Sequence, residues 1–508
     1  MKENLNEVNL IDFEKEGIGK NKLNKYIRII PIIYIIIAFI IFIISIYLFI
    51  HDEGNKEIKN DLNQNKDKNK ENEEENKEPI ELCEIGENDK CLACNGTECS
   101  SCNYKYELVN GTCIPTFSIK ATYETNNEHE DVELFFNVFI NNIIEIEIDE
   151  EIIEPSSNYI FNVTGNHTVY ITMNTSGLNY FTSMFTQIKH LASIYFSKNF
   201  NTENVRSLKG IFFQCENLKK VDISNFNSDN LIDTSLAFFG CSSLTSVKLP
   251  KSRNPQLVNM NNLFTDCIEL TSIDLSNFNA ENVEEMNSLF SNCFSLQSVN
   301  FSHVNAKNLK SMNKMFINCT SLKSVDFSYF NTENVENMNS FFQGCISLTS
   351  IDLSGLNTTN LRNVENMFQN CSSLKYINFT HFNSENIFSF NSFFYGCSSL
   401  ISMDLSNFNT KNIKNLEYMF YGCSSITSID LSSFTTSKVR NMNYTFAECN
   451  NLKYLDISLF TKTIVPSPST MFYNFFTKVA QIGTIKLSHS MRNELNEYIP
   501  KDWKVVVT

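Results

Sequence analysis

The stretch Cys319-Thr-Ser-Leu-Lys-Ser-Val-Asp-Phe-Ser-Tyr-Phe-Asn-Thr-Glu-Asn-Val-Glu-Asn-Met-Asn-Ser-Phe-Phe-Gln-Gly-Cys345 decides the fold, because its pattern recurs with a fixed period. Ten cysteines (Cys215, Cys241, Cys267, Cys293, Cys319, Cys345, Cys371, Cys397, Cys423 and Cys449) follow one another at intervals of 26 residues. A period held this long is the mark of a solenoid, in which no unit can bury its apolar flanks alone and stacked neighbours make the core. Within the unit, Leu322, Val325, Phe327 and Phe330 match the leucine-rich-repeat spacing, with Phe in the Asn slot. Period-2 spacing at Val325 and Phe327 predicts one short parallel strand per turn. Val335, Met338, Phe341 and Phe342 have the spacing of a helical or 3₁₀ turn on the opposite side. The paired asparagines Asn331 and Asn334, like Asn279 with Asn282 and Asn409 with Asn412, read as amides that satisfy corner backbone groups.

Degenerate copies bracket the array. Met184-Phe185 leads to Ile188 in the cysteine slot, and Met471-Phe472 leads to Phe475. The final strand falls at Ile485-Lys-Leu-Ser, and Trp503-Lys-Val-Val-Val closes the end. The segments are then 177–488 for the solenoid and 489–508 for a C-terminal cap.

The repeat Met-Phe-x-x-Cys-x-Ser-Leu-x-Ser-Ile-Asp-Leu-Ser-x-Phe-Asn-Thr-x-Asn-Val resembles that of BspA-like leucine-rich surface proteins, over roughly residues 178 to 488. The resemblance implies display at a microbial cell surface and, as in some members, adhesion to protein partners. Members occur in bacteria and in microbial eukaryotes, and the anchor expected at residues 29–50 favours the microbial-eukaryote type. The turn at Cys241 departs from the pattern, with Lys248-Leu-Pro-Lys-Ser-Arg in place of Asp-Leu-Ser-x-Phe-Asn.

Toward the N-terminus, residues 116–176 change to alternation, as in Val132-Glu-Leu-Phe-Phe, Ile143-Ile-Glu-Ile-Glu-Ile and His167-Thr-Val-Tyr-Ile-Thr-Met, which predicts a small β-rich domain capping the array. Before it, residues 83–115 hold Cys83, Cys91, Cys94, Cys99, Cys102 and Cys113. Two CxxC pairs suit a tetrahedral zinc site, whereas in an oxidising compartment six close cysteines read as three disulfides stapling a module too small for a core. The stretch from Cys102 to Cys113 looks like the closing loop of growth-factor-receptor or furin-type repeats, and that likeness implies a Cys102–Cys113 bridge. Residues 51–82 are a disordered stalk by composition, since Asp52 to Glu78 has ten acids, six lysines and almost nothing apolar.

Ile29 to Ile50 are 22 consecutive uncharged residues, long enough for a transmembrane helix and too long for a signal-peptide core. Lys20, Lys22, Lys25 and Arg28 precede the span and Asp52 and Glu53 follow it, which places residues 1–28 in the cytoplasm and the rest outside. The expectation is a single-pass type II protein of the plasma membrane.

Function follows from what faces outward. One ladder on the strand face is acidic, namely Asp222, Asp274, Asp326, Asp352, Asp404, Asp430 and Asp456, with Asn300, Asn378 and Lys248 in the gaps. It reads either as a solvated face or as a recognition surface for a protein or glycan partner. The net charge of −16 repels nucleic acid. No catalytic or metal motif appears, and no cofactor is implied. The expected function is recognition or adhesion, with a passive coat antigen or a receptor ectodomain without its own catalysis as the alternative. Sequons at Asn95, Asn110, Asn162, Asn166, Asn174 and Asn357 are candidate glycosylation sites.

Overall fold

The computed structural model describes residues 91–95, 98–102, 106–109, 112–115 and 118–508, apart from 228, 251–255, 277–278, 303, 329 and 462–470. The membrane span at 29–50, the stalk, Cys83 and Asn110 lie outside the described residues. Among the described residues no helix is long and apolar enough to cross a membrane.

The cysteine-rich segment contains two antiparallel hairpins. The first joins β1 (Cys91–Asn95) to β2 (Glu98–Cys102), the second β3 (Tyr106–Val109) to β4 (Thr112–Pro115). Next come β5 (Ser118–Thr125), β6 (Glu130–Glu133), β7 (Ile143–Ile148), β8 (Glu151–Ile153), β9 (Asn158–Phe161) and β10 (Gly165–Met173). Strand β5 alternates, and Ile119, Ala121 and Tyr123 are buried. It pairs antiparallel with β10 on one side and with β11 (Leu191–Phe196), the first strand of the array, on the other. The cap is therefore continuous with the solenoid through backbone hydrogen bonds. Pairing with β5 removes the unpaired edge that the first turn would otherwise present.

Strands β12 (Lys220–Asp222) and β13 (Ser246–Lys248) extend that sheet in parallel. The array continues with β14 (Ser272–Asp274), β15 (Ser298–Asn300), β16 (Ser350–Asp352), β17 (Tyr376–Asn378), β18 (Ser428–Asp430), β19 (Tyr454–Ile457) and β20 (Thr484–Leu487). Register follows the sequence period: Ser272 pairs with Ser298 and Ser350 with Tyr376, 26 residues on. Residues 324–326 and 402–404 occupy the same slots without forming regular strand.

The side opposite the strands is not the helix or 3₁₀ turn that the spacing suggests. There the N–H groups of Met338, Ser340, Phe342 and Gly344 reach the carbonyls of Asn363, Glu365, Met367 and Gln369 in the next turn at 2.7–2.8 Å. The intervening N–H groups of Phe341, Gln343 and Cys345 bond three residues back in their own turn. Alternating the two directions, with the Asn339 N–H taken by the Asn337 side chain at 3.0 Å, satisfies the donors along this run and requires left-handed backbone twice per turn. Ser340 (φ 54°) and Gly344 (φ 76°) supply it, and Lys314 with Asn318 or Asn366 with Asn370 do so elsewhere. Left-handed backbone costs a non-glycine residue roughly 1–2 kcal/mol, so the stacked hydrogen bonds must hold it. At Gly344 a Cβ would meet the Asn318 side-chain oxygen, which would have to turn aside to admit it.

The core is built of columns. Phe238, Phe264, Phe290, Phe316, Phe342, Phe368, Phe394, Phe420 and Phe446 stack at centroid distances of 5.2–5.9 Å. Asparagines hold the corners. The Asn331 side chain accepts from Glu333 N–H at 2.9 Å, and Asn334 Nδ2 donates to the Lys307 carbonyl of the preceding turn at 2.7 Å.

The C-terminal end shifts register. Tyr454 pairs with Thr484, 30 residues on, and Phe476 stacks on Phe446 at 5.9 Å. This places Val479, not Phe475, in the cysteine slot; the chain between the last two turns is four residues longer than the repeat. A short helix α1 (His489–Leu495), capped by Ser488, leads to β21 (Lys504–Val507), which pairs parallel to β20. Trp503 Nε1 donates to the Ala480 carbonyl at 2.8 Å and its ring lies over Gly483, where no side chain fits.

Candidate functional site

Each strand ends in the same turn. The Oδ1 of Asp274, Asp326, Asp352, Asp404 and Asp430 accepts from the N–H two residues on, at Ser276, Ser328, Ser354, Ser406 and Ser432, at 2.8–2.9 Å. Asn300 and Asn378 make the same bond to Ser302 and Thr380 at 3.0 Å. The side-chain oxygen closes a turn, which is why Asn substitutes for Asp in the column. What Asp adds is charge, carried out to solvent by the other oxygen. The hydroxyls of Ser328, Ser354 and Ser406, and after them these turn N–H groups, hold the Asp326, Asp352 and Asp404 carboxyls below the usual range.

The ends of the ladder differ from its middle. Asp456 stands in register with Asp430 but is covered: its side chain is 5% exposed and pairs with Lys486 of the following turn at 3.1 Å. Asp222 pairs with Lys248 at 2.9 Å, so the lysine that breaks the sequence pattern neutralises its neighbour. The unpaired acidic run is thus Asp274, Asp326, Asp352, Asp404 and Asp430, all exposed. A crevice of ≈ 370 Å³ opens on this face among Ser272, Asp274, Ser298, Asn300, Ser302 and Asp326. Tyr376, 56% exposed, stands in the same face beside Asn378.

The ten array cysteines are buried and free of disulfides. Each from Cys241 to Cys449 donates its Sγ–H to the Phe carbonyl of the preceding turn at 3.0–3.2 Å, as Cys319 does to Phe290. Burial pushes the Cys215 and Cys449 thiols up to about 12, so they stay protonated and unreactive at neutral pH. Iodoacetamide should label none of the ten in the native protein and all ten after unfolding in guanidinium, counted by mass spectrometry. Label on Cys319 or Cys345 in the folded protein would refute the buried ladder.

Two features escaped sequence reasoning. Tyr395, Tyr418, Tyr421, Tyr444 and Tyr473 cluster on the turn side, with Tyr395 stacked on Tyr421 at 4.7 Å and Tyr418 on Tyr444 at 4.8 Å. Tyr418 and Tyr444 take the left-handed slot (φ 56° and 57°) that smaller residues such as Ser340 and Ser392 fill elsewhere. The signal was available for four of them, since Tyr395 and Tyr421 stand at one fixed offset before Cys397 and Cys423, and Tyr418 and Tyr444 at another before Cys423 and Cys449. The other feature is buried His167, with Nδ1 2.6 Å from Asp149 and Nε2 3.2 Å from Thr125 Oγ1. The order of groups is that of a proton relay. The Thr125 hydroxyl, however, is itself buried and bonded to the Val163 carbonyl, and Phe161 stacks on the imidazole at 4.1 Å, so no substrate reaches it.

Among the described residues no group of three or more His, Cys, Asp or Glu is arranged to hold a metal ion. Of the sequon asparagines, Asn162, Asn166, Asn174 and Asn357 are exposed, and Asn95 ends β1. In the first hairpin Cys91 lies opposite Cys102 and Cys94 opposite Cys99.

These features define a leucine-rich-repeat-like solenoid repeat protein. The chain belongs to the family described as "Mycoplasma protein of unknown function, DUF285", which matches residues 157–248, 251–324, 298–401 and 366–485, together more than half of its length. No curated protein matches it. Among solved structures it is similar to a leucine-rich cell surface protein from Faecalibacterium prausnitzii, at 18% identity and a TM-score of 0.28, covering 53% of this chain and 80% of that one. It is similar also to a leucine-rich-repeat protein from Eubacterium ventriosum, at 14% identity and a TM-score of 0.28, over 55% and 81% of the two chains. An internalin from Listeria monocytogenes shares 13% identity at a TM-score of 0.24, over 63% and 81%.

Proposed function

We propose that this chain is a surface-displayed recognition protein, held at the plasma membrane by residues 29–50, whose strand face binds a basic protein partner. The observation that carries the proposal is the run Asp274, Asp326, Asp352, Asp404 and Asp430, in which one carboxylate oxygen closes a turn and the other faces solvent. The turn bond alone needs only an amide, as Asn300 and Asn378 demonstrate, so the charge itself asks for a use. Acids spaced one or two turns apart offer a partner several weak contacts at once, which favours avidity over one tight pocket. The neighbouring serines and Tyr376 supply hydrogen-bond donors and an aromatic surface of the kind common at protein interfaces.

The test uses the full chain on intact cells. Added protease should release solenoid fragments, and fluorescent polylysine should bind these cells in a salt-sensitive way while neutral glycans do not. A solenoid protected from external protease overturns surface display. Display without salt-sensitive capture of the cationic probe overturns the strand-face reading.

A further inference from the structure

From the backbone register we infer that the first hairpin carries two cross-strand disulfides, Cys91–Cys102 and Cys94–Cys99, and not the Cys102–Cys113 bridge that the furin-type likeness implies. In β1–β2 the Cα partners are Cys91 with Cys102 and Cys94 with Cys99, each pair directly opposed across an antiparallel ladder. Directly opposed residues in such a ladder have Cα atoms about 4.5–5.5 Å apart, whichever type of pair they form. That lies inside the roughly 4.4–6.8 Å window a disulfide accepts. The alternatives along one strand fail on distance: Cys91 to Cys94, or Cys99 to Cys102, is three residues of extended chain, about 10 Å. Cys113 sits in the second hairpin opposite Leu108, and Cys102 already has a cysteine across the ladder.

Register also accounts for the CxxC spacing. The ladder shifts register between Cys91 and Ala93 and back again between Ala93 and Cys94, so a three-residue step on each strand leads from one opposed cysteine pair to the other. Two bridges would tie a hairpin of four- or five-residue pairings that is too short to persist in water by itself. They would give the segment next to the β-domain a fixed form.

Each bridge forms by thiol–disulfide exchange. A thiolate attacks an external disulfide, that of a disulfide oxidoreductase or of glutathione disulfide, to give a mixed disulfide. The second cysteine then displaces the reduced carrier thiol. Two protein thiols lose two electrons and two protons in all, and the oxidant leaves as two thiols. In the cell this rests on the surface placement proposed above. The test does not.

The purified full chain is reduced in denaturant, refolded in a glutathione–glutathione disulfide buffer, trapped with N-ethylmaleimide and digested without reduction. Cleavage at Glu98 separates Cys94 from Cys99, so mass spectrometry with electron-transfer fragmentation reads the partners. Linked Cys91–Cys102 and Cys94–Cys99 are expected. Free-thiol counts give an independent check. The matched variant Cys91→Ser with Cys102→Ser should show no more free thiols than the wild type, and the mismatched Cys91→Ser with Cys94→Ser should show two more. A Cys102–Cys113 linkage, equal thiol counts in the two variants, or thiols that stay protected by bound zinc until a chelator is added would each overturn the pairing. None of these outcomes bears on whether the chain is at the surface, which the protease experiment decides separately.

Discussion

Replacing Phe316 by alanine should destabilise the solenoid by about 3–5 kcal/mol, the range for deleting a buried aromatic ring. Phe316 is fully buried, lies between Phe290 and Phe342 at 5.6 Å on each side, and meets Phe341 edge-on at 5.5 Å. The cavity would therefore be walled by rings on three sides, and the stacked backbone hydrogen bonds of this turn prevent collapse around it. Because each turn in a solenoid touches only its neighbours, the loss is concentrated at this point and should split unfolding into N- and C-terminal steps. The control is Phe294→Ala. Phe294 is 40% exposed at the corner after Cys293, so its loss should cost about 0.5 kcal/mol or less. Urea denaturation followed by near-ultraviolet circular dichroism measures both. A cost below about 1 kcal/mol for Phe316→Ala would mean that the ring column is not what holds the turns together.

The turn length and the strand were legible in the sequence because a solenoid must return each core side chain to one slot. The cysteines and Val325-Asp-Phe327 mark that slot without interruption. The opposite side misled for a physical reason. Inward residues at Val335, Met338, Phe341 and Phe342 are spaced alike by a helix and by a chain that alternates right- and left-handed backbone. What separates the two is chemistry at the left-handed slots, where Asp266, Asn318, Gly344, Asn370 and Gly422 recur just before the cysteines. The acidic ladder was legible as a column but not as a set of turn-closing bonds, although Asn300 and Asn378 in the same slot are the clue. Pairing of β5 with β11 is a nonlocal choice that alternation along β5 cannot specify. The shift at the last turn depends on the length of a connection, so a motif match at Phe472 put Phe475 in a slot that Val479 fills.

Changing Asp326, Asp352, Asp404 and Asp430 together to Asn should separate the two roles of the column. Asn keeps the Oδ1 that accepts the Ser N–H, as it does at Asn300 and Asn378, so the turns survive. What disappears is four negative charges, among them the weak repulsion between Asp326 and Asp352 in adjacent turns. The neutral-pH melting temperature should therefore stay or rise slightly. Acid behaviour supplies a second readout with a definite sign. The Asp326, Asp352 and Asp404 carboxyls sit below their ordinary range because Ser328, Ser354 and Ser406 bond to them. Their contribution is complete above the unfolded-state value near 4 and fades as pH falls through the lower folded-state value. The quadruple variant should lose that part of the decline below about pH 4. Binding of the cationic probe should weaken about tenfold at low salt, from four exposed pairs at a few tenths of a kcal/mol each, and should lose much of its salt dependence. Unchanged binding by a folded variant would move the contact surface off the strand face. The tyrosine cluster around Tyr418 and Tyr444 is then the surface to test, because its rings are already packed in place and bring little ordering cost to a complex. A variant that fails to fold would show that the ladder needs its charge for structure, an outcome that the Asn-bearing turns at Asn300 and Asn378 argue against.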